Sequence, residues 1–343
     1  MTRKRSEAIT IGVVGGGSWG TALANLLAEK GQRVDFWVYE REVKEQILQQ
    51  RENQLFLPGC PLSENLAPSN DLAGVVTGKD LVLLVTPSHI VREISTMMAS
   101  SLGKDTLVVS ASKGIENLTH LTMSGILGET LPHIDRECLA VLSGPSFARE
   151  VATGVPTVIT AASASAETAE TVQQVFSTPA FRVYTSEDVI GVELGGSVKN
   201  VIAIAAGIVD GLGLGLNTRA ALITRGMTEM RRLGLRLGAN PRTFTGPAGL
   251  GDMVLTCTGT LSRNHTVGKK IGEGKTLSEI LSEMRMVAEG VKTAKSVYNL
   301  SRRLGVEMPI SHEIYRILYE GTTPTEGVMR LMTRDLKDEL DER

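Results

Sequence analysis

A short glycine-rich turn between a strand-like run and an apolar helical run limits the possible folds more than any other feature of this sequence. The stretch TIGVVGGGSWGTALANLLAEKG contains the spacing Gly15-x-Gly17-x-x-Gly20. Glycines at this spacing allow a tight turn and let the backbone approach a pyrophosphate, while the helix that follows offers free N–H groups. The spacing alone also fits a plain strand-to-helix turn. With its flanking elements, it predicts a dinucleotide-binding unit.

The rest of the chain divides into two parts of different character. Up to about residue 188, apolar β-rich runs alternate with helical patterns, which is typical of a mostly parallel sheet covered on both faces by helices. Beyond that point only helical patterns follow. We therefore predict an α/β, doubly wound, Rossmann-like domain over 1–188 and an all-α substrate domain over 189–343. The predicted strands are 8–14, 33–38, 81–86, 106–110, 138–142 and 157–163.

The end of the second predicted strand bears on the choice of cofactor. Glu40 lies 20 residues beyond Gly20, where an acidic side chain accepts a hydrogen bond from the adenosine ribose and favours NAD. The adjacent Arg41 would instead meet the 2′-phosphate of NADP. A solvated Glu-Arg pair is the structural alternative, so the pattern leaves both NAD and NADP open.

Lys199 lies in a helical run, GGSVKNVIAIAAG (195–207), that contains no other charged residue. A buried ammonium group without a partner costs several kcal/mol or loses its proton. The structural alternative is a lysine whose long stem carries its ammonium group out to water. Its nearly uncharged surroundings make Lys199 a candidate functional residue.

Two polar segments in the second half form a candidate grip for a phosphate or a polyol. Asp252 ends the glycine-rich turn GPAGLGD, and the triplet Ser262, Arg263 and Asn264 follows ten residues later. A guanidinium presents a planar fork to phosphate oxygens, and each charge-assisted bond contributes about 1.5–3 kcal/mol. Alone, the triplet also fits a helix N-cap followed by a solvated arginine.

Two loops of the first half follow predicted strands, at the sheet edge where ligands bind in such folds. One is SASKG with Lys113, and the other is SGPSFA with Ser146. A solvated lysine and a helix cap are the respective structural alternatives.

Composition and charge exclude several classes of protein. The net charge of −2 gives no overall field that would attract nucleic acid or anionic lipid. The three cysteines are widely spaced and provide neither a disulfide framework nor a metal-binding pair. We find no signal peptide or membrane span and predict a cytoplasmic protein without a metal site. The sequence reveals no pairing of the five histidines with a carboxylate, so we expect no His-Asp dehydrogenase mechanism.

Taken together, these motifs resemble the bacterial-type NAD(P)-dependent glycerol-3-phosphate dehydrogenases almost from end to end. The fold that the resemblance implies agrees with the one predicted above. The matching stretches are GGGSWGTALA (15–24), NQLFLPG (53–59), VTPSH (85–89), SKGIE (112–116), LSGPSFAREV (142–151), VELGGSVKNVIAIAAG (192–207), TRAALITRGMTEM (218–230), GLGDMVLTCTGTLSRN (249–264), VAEG (287–290) and VEMPI (306–310).

The resemblance implies a role for each matching position. Lys199 corresponds to the catalytic lysine, which donates a proton when the ketone is reduced and accepts one in the reverse direction. The implied substrate-binding residues are Lys113, Gly144, Ser146, Lys199, Asp252, Ser262, Arg263 and Asn264. The implied cofactor-binding residues are Gly15, Gly17, Ser18, Trp19, Gly20, Tyr39, Glu40, Lys113, Ala148, Arg263, Val287 and Glu289. Many family members carry His or Arg where this chain has Tyr39-Glu40.

The implied reaction is the reversible reduction of dihydroxyacetone phosphate to sn-glycerol 3-phosphate with NADH or NADPH, which supplies the glycerol phosphate of phospholipids. We expect the ammonium group of Lys199, the carboxylate of Asp252 and the guanidinium of Arg263 to lie beside the nicotinamide at the junction of the two domains. Two alternatives stay open: a related dehydrogenase for another hydroxy acid, and a non-catalytic regulator that senses NAD(P)H. The apolar helices of the second half fit packing within one subunit or across a homodimer.

Overall fold

The computed structural model describes residues 9–284 and 288–339, and its contacts divide the chain into two compact units. The first comprises residues up to Ser112 together with Met123–Val189, and the second comprises Lys113–Thr122 together with the chain from Ile190 onward. Each unit has its own apolar core. The chain therefore passes from the first unit into the second, back again, and then into the second once more.

The first unit is built on a single sheet of eight strands within the described ranges, in the order β3-β2-β1-β4-β5-β6-β7-β8. All neighbouring pairs are parallel except β6 and β7, which are antiparallel. The sheet confirms the predicted α/β, doubly wound fold, and its strand order reverses between β1 and β4. The strands are β1 Ile11–Val14, β2 Val34–Trp37, β3 Leu66–Ser69, β4 Leu81–Leu84, β5 Leu107–Ser110, β6 Leu139–Ser143, β7 Thr157–Ser163 and β8 Phe181–Ser186.

Two of these strands, β3 and β8, are absent from the sequence prediction, and both lie at the edges of the sheet. The edge strand β3 has the sequence LAPS, and a proline within it weakens the strand signal because it removes a donor. The other edge strand, β8, alternates buried Phe181 and Val183 with exposed Arg182 and Tyr184. One-sided burial replaces the continuous apolar run of the central strands, so the pattern is weaker.

The helices of the first unit pack on the sheet and complete its core. The apolar side chains of β1, β2 and β4 contact those of the first helix, including the fully buried Leu23 and Leu27. The helices are α1 Ser18–Glu29, α2 Arg41–Gln50, α3 Leu72–Val76, α4 Val91–Met98, α5 Met123–Thr130, α6 Ala148–Ala152 and α7 Ala166–Phe176.

Within the described residues, the chain from residue 189 onward is helical, as predicted, and is organised around one long helix, α8 (Val189–Gly211). This helix is long and apolar enough to cross a membrane, but 89% of its most apolar window is buried, so it is a core helix. The other helices are α9 Gly215–Arg236, α10 Asp252–Thr258, α11 Arg263–Gly272, α12 Leu277–Glu283, α13 Glu289–Leu304, α14 Pro309–Tyr319 and α15 Pro324–Met332.

Helices α8 and α11 approach each other closely because glycines line their contact. A Cβ on Gly207 would lie 2.1 Å from the carbonyl oxygen of His265, and one on Gly268 would lie 1.9 Å from that of Ile204. No side chain fits at such distances. The crossing sets the start of α11 against the middle of α8, where Lys199 and Asn200 lie.

The segment 113–122 is tied to the second unit by packing and by hydrogen bonds. Ile115 belongs to the apolar core of that unit. The hydroxyl of Ser296, on α13, donates to the carbonyl of Ile115 at 2.7 Å and lies 3.0 Å from the side-chain oxygen of Asn117. Lys113, the first residue of the segment, is thereby held among the helices of the second unit.

Candidate active site

The glycine turn follows β1 at the point where the strand order reverses, which is where ligands bind in doubly wound sheets. A Cβ on Gly15 would lie 2.4 Å from the carbonyl oxygen of Val85, and one on Gly20 would lie 1.9 Å from that of Gly15. These two glycines allow the turn to close. A Cβ on Gly17, in contrast, would meet no atom within 4 Å. The missing side chain of Gly17 leaves open space rather than a packing contact.

This open space lies at the N-terminus of α1, and the donors there suit a pyrophosphate. Gly17 is the N-cap residue and provides no side-chain cap, so it leaves the N–H groups of the first turn without the hydrogen bond that a cap side chain would accept. The buried Asn53 donates to the carbonyl of Gly16 at 2.9 Å and to the hydroxyl of Thr21 at 2.8 Å, which fixes the turn. The glycine turn and the N-terminus of α1 together therefore fit the phosphates of a dinucleotide.

Trp19 and Ala148, two predicted cofactor contacts, lie in one small apolar cluster beside this turn with Ala22, Leu57 and Cys60. The indole Nε1 of Trp19 is buried and has no hydrogen-bond partner among residues 9–284 and 288–339. A buried donor of this kind usually has an acceptor. The first turn of α1, which begins at Ser18, therefore combines free donors with an apolar surface.

The residues at the end of β2 lie where the second strand of the sheet meets α2. Tyr39 is 75% exposed, and its ring contacts that of Trp37 edge-on at 6.2 Å. Glu40 is the N-cap residue of α2, but its carboxylate makes no cap hydrogen bond. Arg41 begins the helix and is exposed. Both charged side chains are available to a ligand, so the structure leaves the choice between NAD and NADP open.

Gly144 and Ser146 also belong to the first unit, at the end of β6. A Cβ on Gly144 would lie 2.8 Å from the Cα of Ile159 on the neighbouring strand β7. The hydroxyl of Ser146 donates to the carbonyl of Gly144 at 2.9 Å. The loop is therefore folded on itself, with Ser146 half-buried.

In the second unit, one buried carboxylate holds two lysines. The Nζ of Lys199 lies 2.5 Å from Oδ1 of Asp252, and the Nζ of Lys113 lies 2.7 Å from Oδ2 of the same residue. Asp252 is 1% exposed and Lys199 is 7% exposed. Three residues that lie far apart in sequence thus form one cluster, which we call the lysine–aspartate cluster.

Helix geometry explains why Asp252 reaches Lys199. Residues four apart lie on the same face of a helix. Gly195 precedes Lys199 by four residues on α8, and its missing side chain admits the backbone of Ala248, whose oxygen would lie 2.3 Å from a Cβ. Ala248 in turn precedes Asp252 by four residues. The close approach at Gly195 therefore sets the carboxylate against the ammonium group one turn later.

Burial lowers the pKa of Lys199 from its ordinary value to about 8. The carboxylate of Asp252 opposes this by favouring the charged form, and the cationic Lys113 adds to the lowering. The hydroxyl of Thr256 also contacts the Lys199 Nζ at 2.8 Å, and it donates to the carbonyl of Asp252 at 2.6 Å. The ammonium group is thus held in place, with a pKa close to neutral pH.

The triplet Ser262, Arg263 and Asn264, which we call the SRN triplet, lies at the start of α11, and its three side chains make different contacts. Ser262 is the N-cap residue, and its Oγ accepts a hydrogen bond from the His265 N–H. Asn264 is buried, donates to the side-chain oxygen of Asn200 at 2.9 Å and accepts the N–H of Gly290 at 2.9 Å. Since Asn200 directly follows Lys199, Asn264 is anchored beside the lysine–aspartate cluster.

Arg263 is the member of the triplet that is exposed to solvent. Partial loss of hydration lowers the pKa of its guanidinium, and the carboxylate of Glu289, the first residue of α13, opposes that effect. Two predicted site residues are thus close enough to interact. Val287, predicted as a cofactor contact, lies outside the described residues.

Two features of the second unit went unpredicted. Thr256 contacts Lys199, and a hydroxyl one turn after Asp252 on the same helix was the signal that could have identified it. His265 pairs with Asp210, with Nε2 2.8 Å from Oδ2, a pair that the sequence did not reveal. Asp210 lies 11 residues beyond Lys199 on α8, or about 16 Å along the helix axis. The pair is therefore separate from the lysine–aspartate cluster.

Comparisons with known proteins agree with this arrangement. The model of the NAD-dependent glycerol-3-phosphate dehydrogenase N-terminus matches residues 10–169, and that of its C-terminus matches residues 188–329. An NAD(P)+ glycerol-3-phosphate dehydrogenase of Citrifermentans bemidjiense is 59% identical over 96% of this chain and 98% of its own length. That of Geobacter sulfurreducens is 57% identical over the same shares.

Among solved structures, the glycerol-3-phosphate dehydrogenase of Coxiella burnetii superimposes with a TM-score of 0.91 at 40% identity. The match covers 95% of this chain and 99% of that one. The two family models together span most of the chain, and so does each of the relatives. The chain therefore belongs to the family of NAD(P)-dependent glycerol-3-phosphate dehydrogenases.

Proposed function

We propose that this protein reduces dihydroxyacetone phosphate to sn-glycerol 3-phosphate, reversibly, with Lys199 as the proton donor. The observation that carries the proposal is the buried carboxylate of Asp252, which holds Lys199 and Lys113 together. Family membership supports the activity itself.

The charge of the lysine–aspartate cluster suits a phosphorylated substrate. With Lys199 protonated, two ammonium groups face one carboxylate, which leaves one net positive charge in a largely buried site. Arg263, anchored nearby through Asn264, adds a planar guanidinium that matches a phosphate dianion. These cations would bind the phosphate group of the substrate through its charge. The uncharged ketone would then remain free to be reduced.

The chemistry requires a group that stabilises and protonates the carbonyl oxygen. A bound nicotinamide cofactor in its reduced form supplies the hydride. As the C=O π bond breaks, its electron pair moves to the oxygen, and the Lys199 ammonium stabilises the charge and transfers one proton. Lys199 becomes neutral and regains a proton from solvent. Asp252 and Thr256 keep Nζ oriented throughout.

The first unit would hold the cofactor through the glycine turn. The N–H groups at the start of α1 would bind the pyrophosphate, the open space at Gly17 would admit it, and Trp19 would contact it from the apolar cluster. Tyr39 and Glu40 would lie towards the adenosine. These residues fit either nicotinamide dinucleotide.

The experiment is a direct assay of the purified protein. Adding dihydroxyacetone phosphate to the protein with NADH, and separately with NADPH, should consume the near-ultraviolet absorbance of the reduced cofactor. Lys199→Ala should lower kcat by about 10²–10⁴-fold, the usual contribution of general acid catalysis, with unchanged secondary structure by circular dichroism. A variant with near-normal turnover would contradict the role of Lys199, and cofactor binding without turnover would favour a sensor.

We also propose that the product supplies the glycerol phosphate backbone of phospholipids. Cells that lack this protein should then need glycerol 3-phosphate in the medium for lipid synthesis. A homodimer and a cytoplasmic location stay predictions, and light scattering coupled to gel filtration checks the first.

A further inference from the structure

A cavity of about 290 Å³ lies between α14 and the end of α15 in the second unit. His312, Glu313 and Arg316 line it from α14, and Arg330 and Arg334 line it from the other side. None of these residues belongs to the lysine–aspartate cluster or to the SRN triplet. Nothing in the proposed reaction uses them.

The cavity has an excess of positive charge. Its one carboxylate, Glu313, is buried, and both of its oxygens are already occupied: Oε1 by Arg316 at 2.6 Å and Oε2 by Arg330 at 2.8 Å. Arg334 pairs with Glu307, which also binds Lys337 at 3.0 Å. The two ion-paired groups, one around Glu313 and one around Glu307, together contain four cationic side chains and two carboxylates.

The guanidinium groups are not all used up by these ion pairs. Each guanidinium has five N–H donors. The Arg316 side chain is 40% exposed and that of Arg330 is 43% exposed, so their free edges reach the solvent-filled side of the cavity. A planar guanidinium can direct two parallel N–H donors at two oxygens of a phosphate group.

The imidazole of His312 reports the potential inside the cavity. Burial lowers its pKa, and the cationic Arg316, Arg302 and Arg334 lower it further, while Glu313 opposes them. Its Nε2 lies 2.8 Å from the hydroxyl of Ser301, and its ring lies edge-on to that of Tyr298 at 5.0 Å. The ring is thus fixed at the cavity wall and senses any charge that enters.

We propose that this cavity is a second anion site, which takes the phosphate group of a small phosphate monoester or of a lipid headgroup. Arg316 and Arg334 would bind the phosphate oxygens, while Arg330 would remain the main partner of Glu313. A bound dianion would neutralise the one excess positive charge of each ion-paired group. The site would give the enzyme a way to respond to a phosphate compound without using the lysine–aspartate cluster.

The test is a pH titration of the His312 ring by NMR, on the whole isotope-labelled protein. His312→Gln identifies the signal by its loss. We expect millimolar inorganic phosphate, compared with chloride at equal ionic strength, to raise the pKa of His312 by about half a pH unit or more, because a nearby dianion favours the charged imidazole. The readout is local, so it does not depend on phosphate binding at Arg263 or on the proposed reaction.

Two variants and a matched control locate the site. Arg334→Gln removes an ion pair with the half-exposed Glu307 and should weaken the phosphate response of His312. The double variant of Arg334→Gln and Arg316→Gln should weaken it by at least tenfold in apparent affinity. Lys275→Gln removes a different exposed ion pair of the same unit, the one with Glu283, and should leave the response unchanged.

The source of the phosphate is separated by two further probes. If glycerol 3-phosphate shifts the pKa of His312 as inorganic phosphate does, the ligand is a soluble ester. If the protein pellets with phosphatidic acid vesicles and the arginine variants do not, the ligand is a lipid headgroup. Either result supports the site. A His312 pKa that ignores phosphate, or that responds equally in the double variant, would overturn the proposal.

Discussion

At the scale of single residues, the proposed role of Lys199 as proton donor predicts how the rate depends on pH. Its pKa of about 8 means that the free protein carries the ammonium form below that pH and the amine above it. Ketone reduction needs the ammonium, so kcat/KM for reduction should fall as the pH rises through about 8. Oxidation of glycerol 3-phosphate needs the amine, so its kcat/KM should rise over the same range.

Measured pH–rate profiles in both directions check this prediction. Lys199→Arg is the matched variant, because a guanidinium stays protonated at all these pH values. It should be slow and should lose the inflection near pH 8. Profiles of Lys199→Arg with the same inflection as the natural protein would assign that titration to another group.

Glu229 is a buried carboxyl whose task is structural. It lies on α9 and accepts the N–H of Ile310 at 2.5 Å, the N–H of Ser311 at 3.0 Å and the hydroxyl of Ser311 at 2.8 Å, so it caps α14 from a neighbouring helix. Burial raises its pKa to about 7, and these donors oppose the rise. The residue is 2% exposed, so water cannot replace a hydrogen-bond donor that its carboxyl group loses.

This raised pKa predicts how stability depends on pH. The unfolded carboxyl has a pKa near 4.5, so the stabilising contribution is full below that pH and is lost as the pH rises through about 7. Glu229→Gln should lack this fall, and should lose about 1–3 kcal/mol at pH 5 because its amide group faces a backbone donor. Urea unfolding between pH 5 and 8 measures both effects. Glu45→Gln, an exposed residue, should behave as the natural protein does.

At the scale of secondary-structure elements, the proposed cofactor role of the turn between β1 and α1 predicts that cofactor binding can be impaired without loss of stability. Gly17→Ala places a methyl group in open space, so the free energy of unfolding should change by less than about 0.5 kcal/mol. The methyl group would obstruct the pyrophosphate, and we expect the Kd for NADH or NADPH to rise about tenfold or more. Fluorescence titration of the reduced cofactor and urea unfolding measure the two quantities.

Gly20→Ala is the contrasting variant in the same turn. Its Cβ would lie 1.9 Å from a backbone oxygen, so the turn itself must move. This variant should lose stability even without a cofactor. Equal losses of stability in both variants would show that Gly17 is a folding residue and not a binding one.

At the scale of the whole molecule, patterns along the chain predicted some parts and missed others. The central strands are continuous apolar runs, and the middle of α8 (195–207) carries no charged residue except Lys199, so both were visible in the sequence. The edge strands β3 and β8 were missed because one-sided burial leaves a weak pattern. The pairing of Lys113 with Asp252, and that of His265 with Asp210, depends on contacts between distant segments, which no local pattern contains.

The segment 113–122 limits how this protein can be taken apart. The chain crosses between its units at 112–113, 122–123 and 189–190, so no single cut yields two complete pieces. A fragment that starts at residue 190 would lack Ile115 from its core and one of the two cations on its central carboxylate. Anyone who exchanges the nucleotide-binding half for that of another enzyme must therefore carry these ten residues across with the helical half, as a graft within the new partner's sequence.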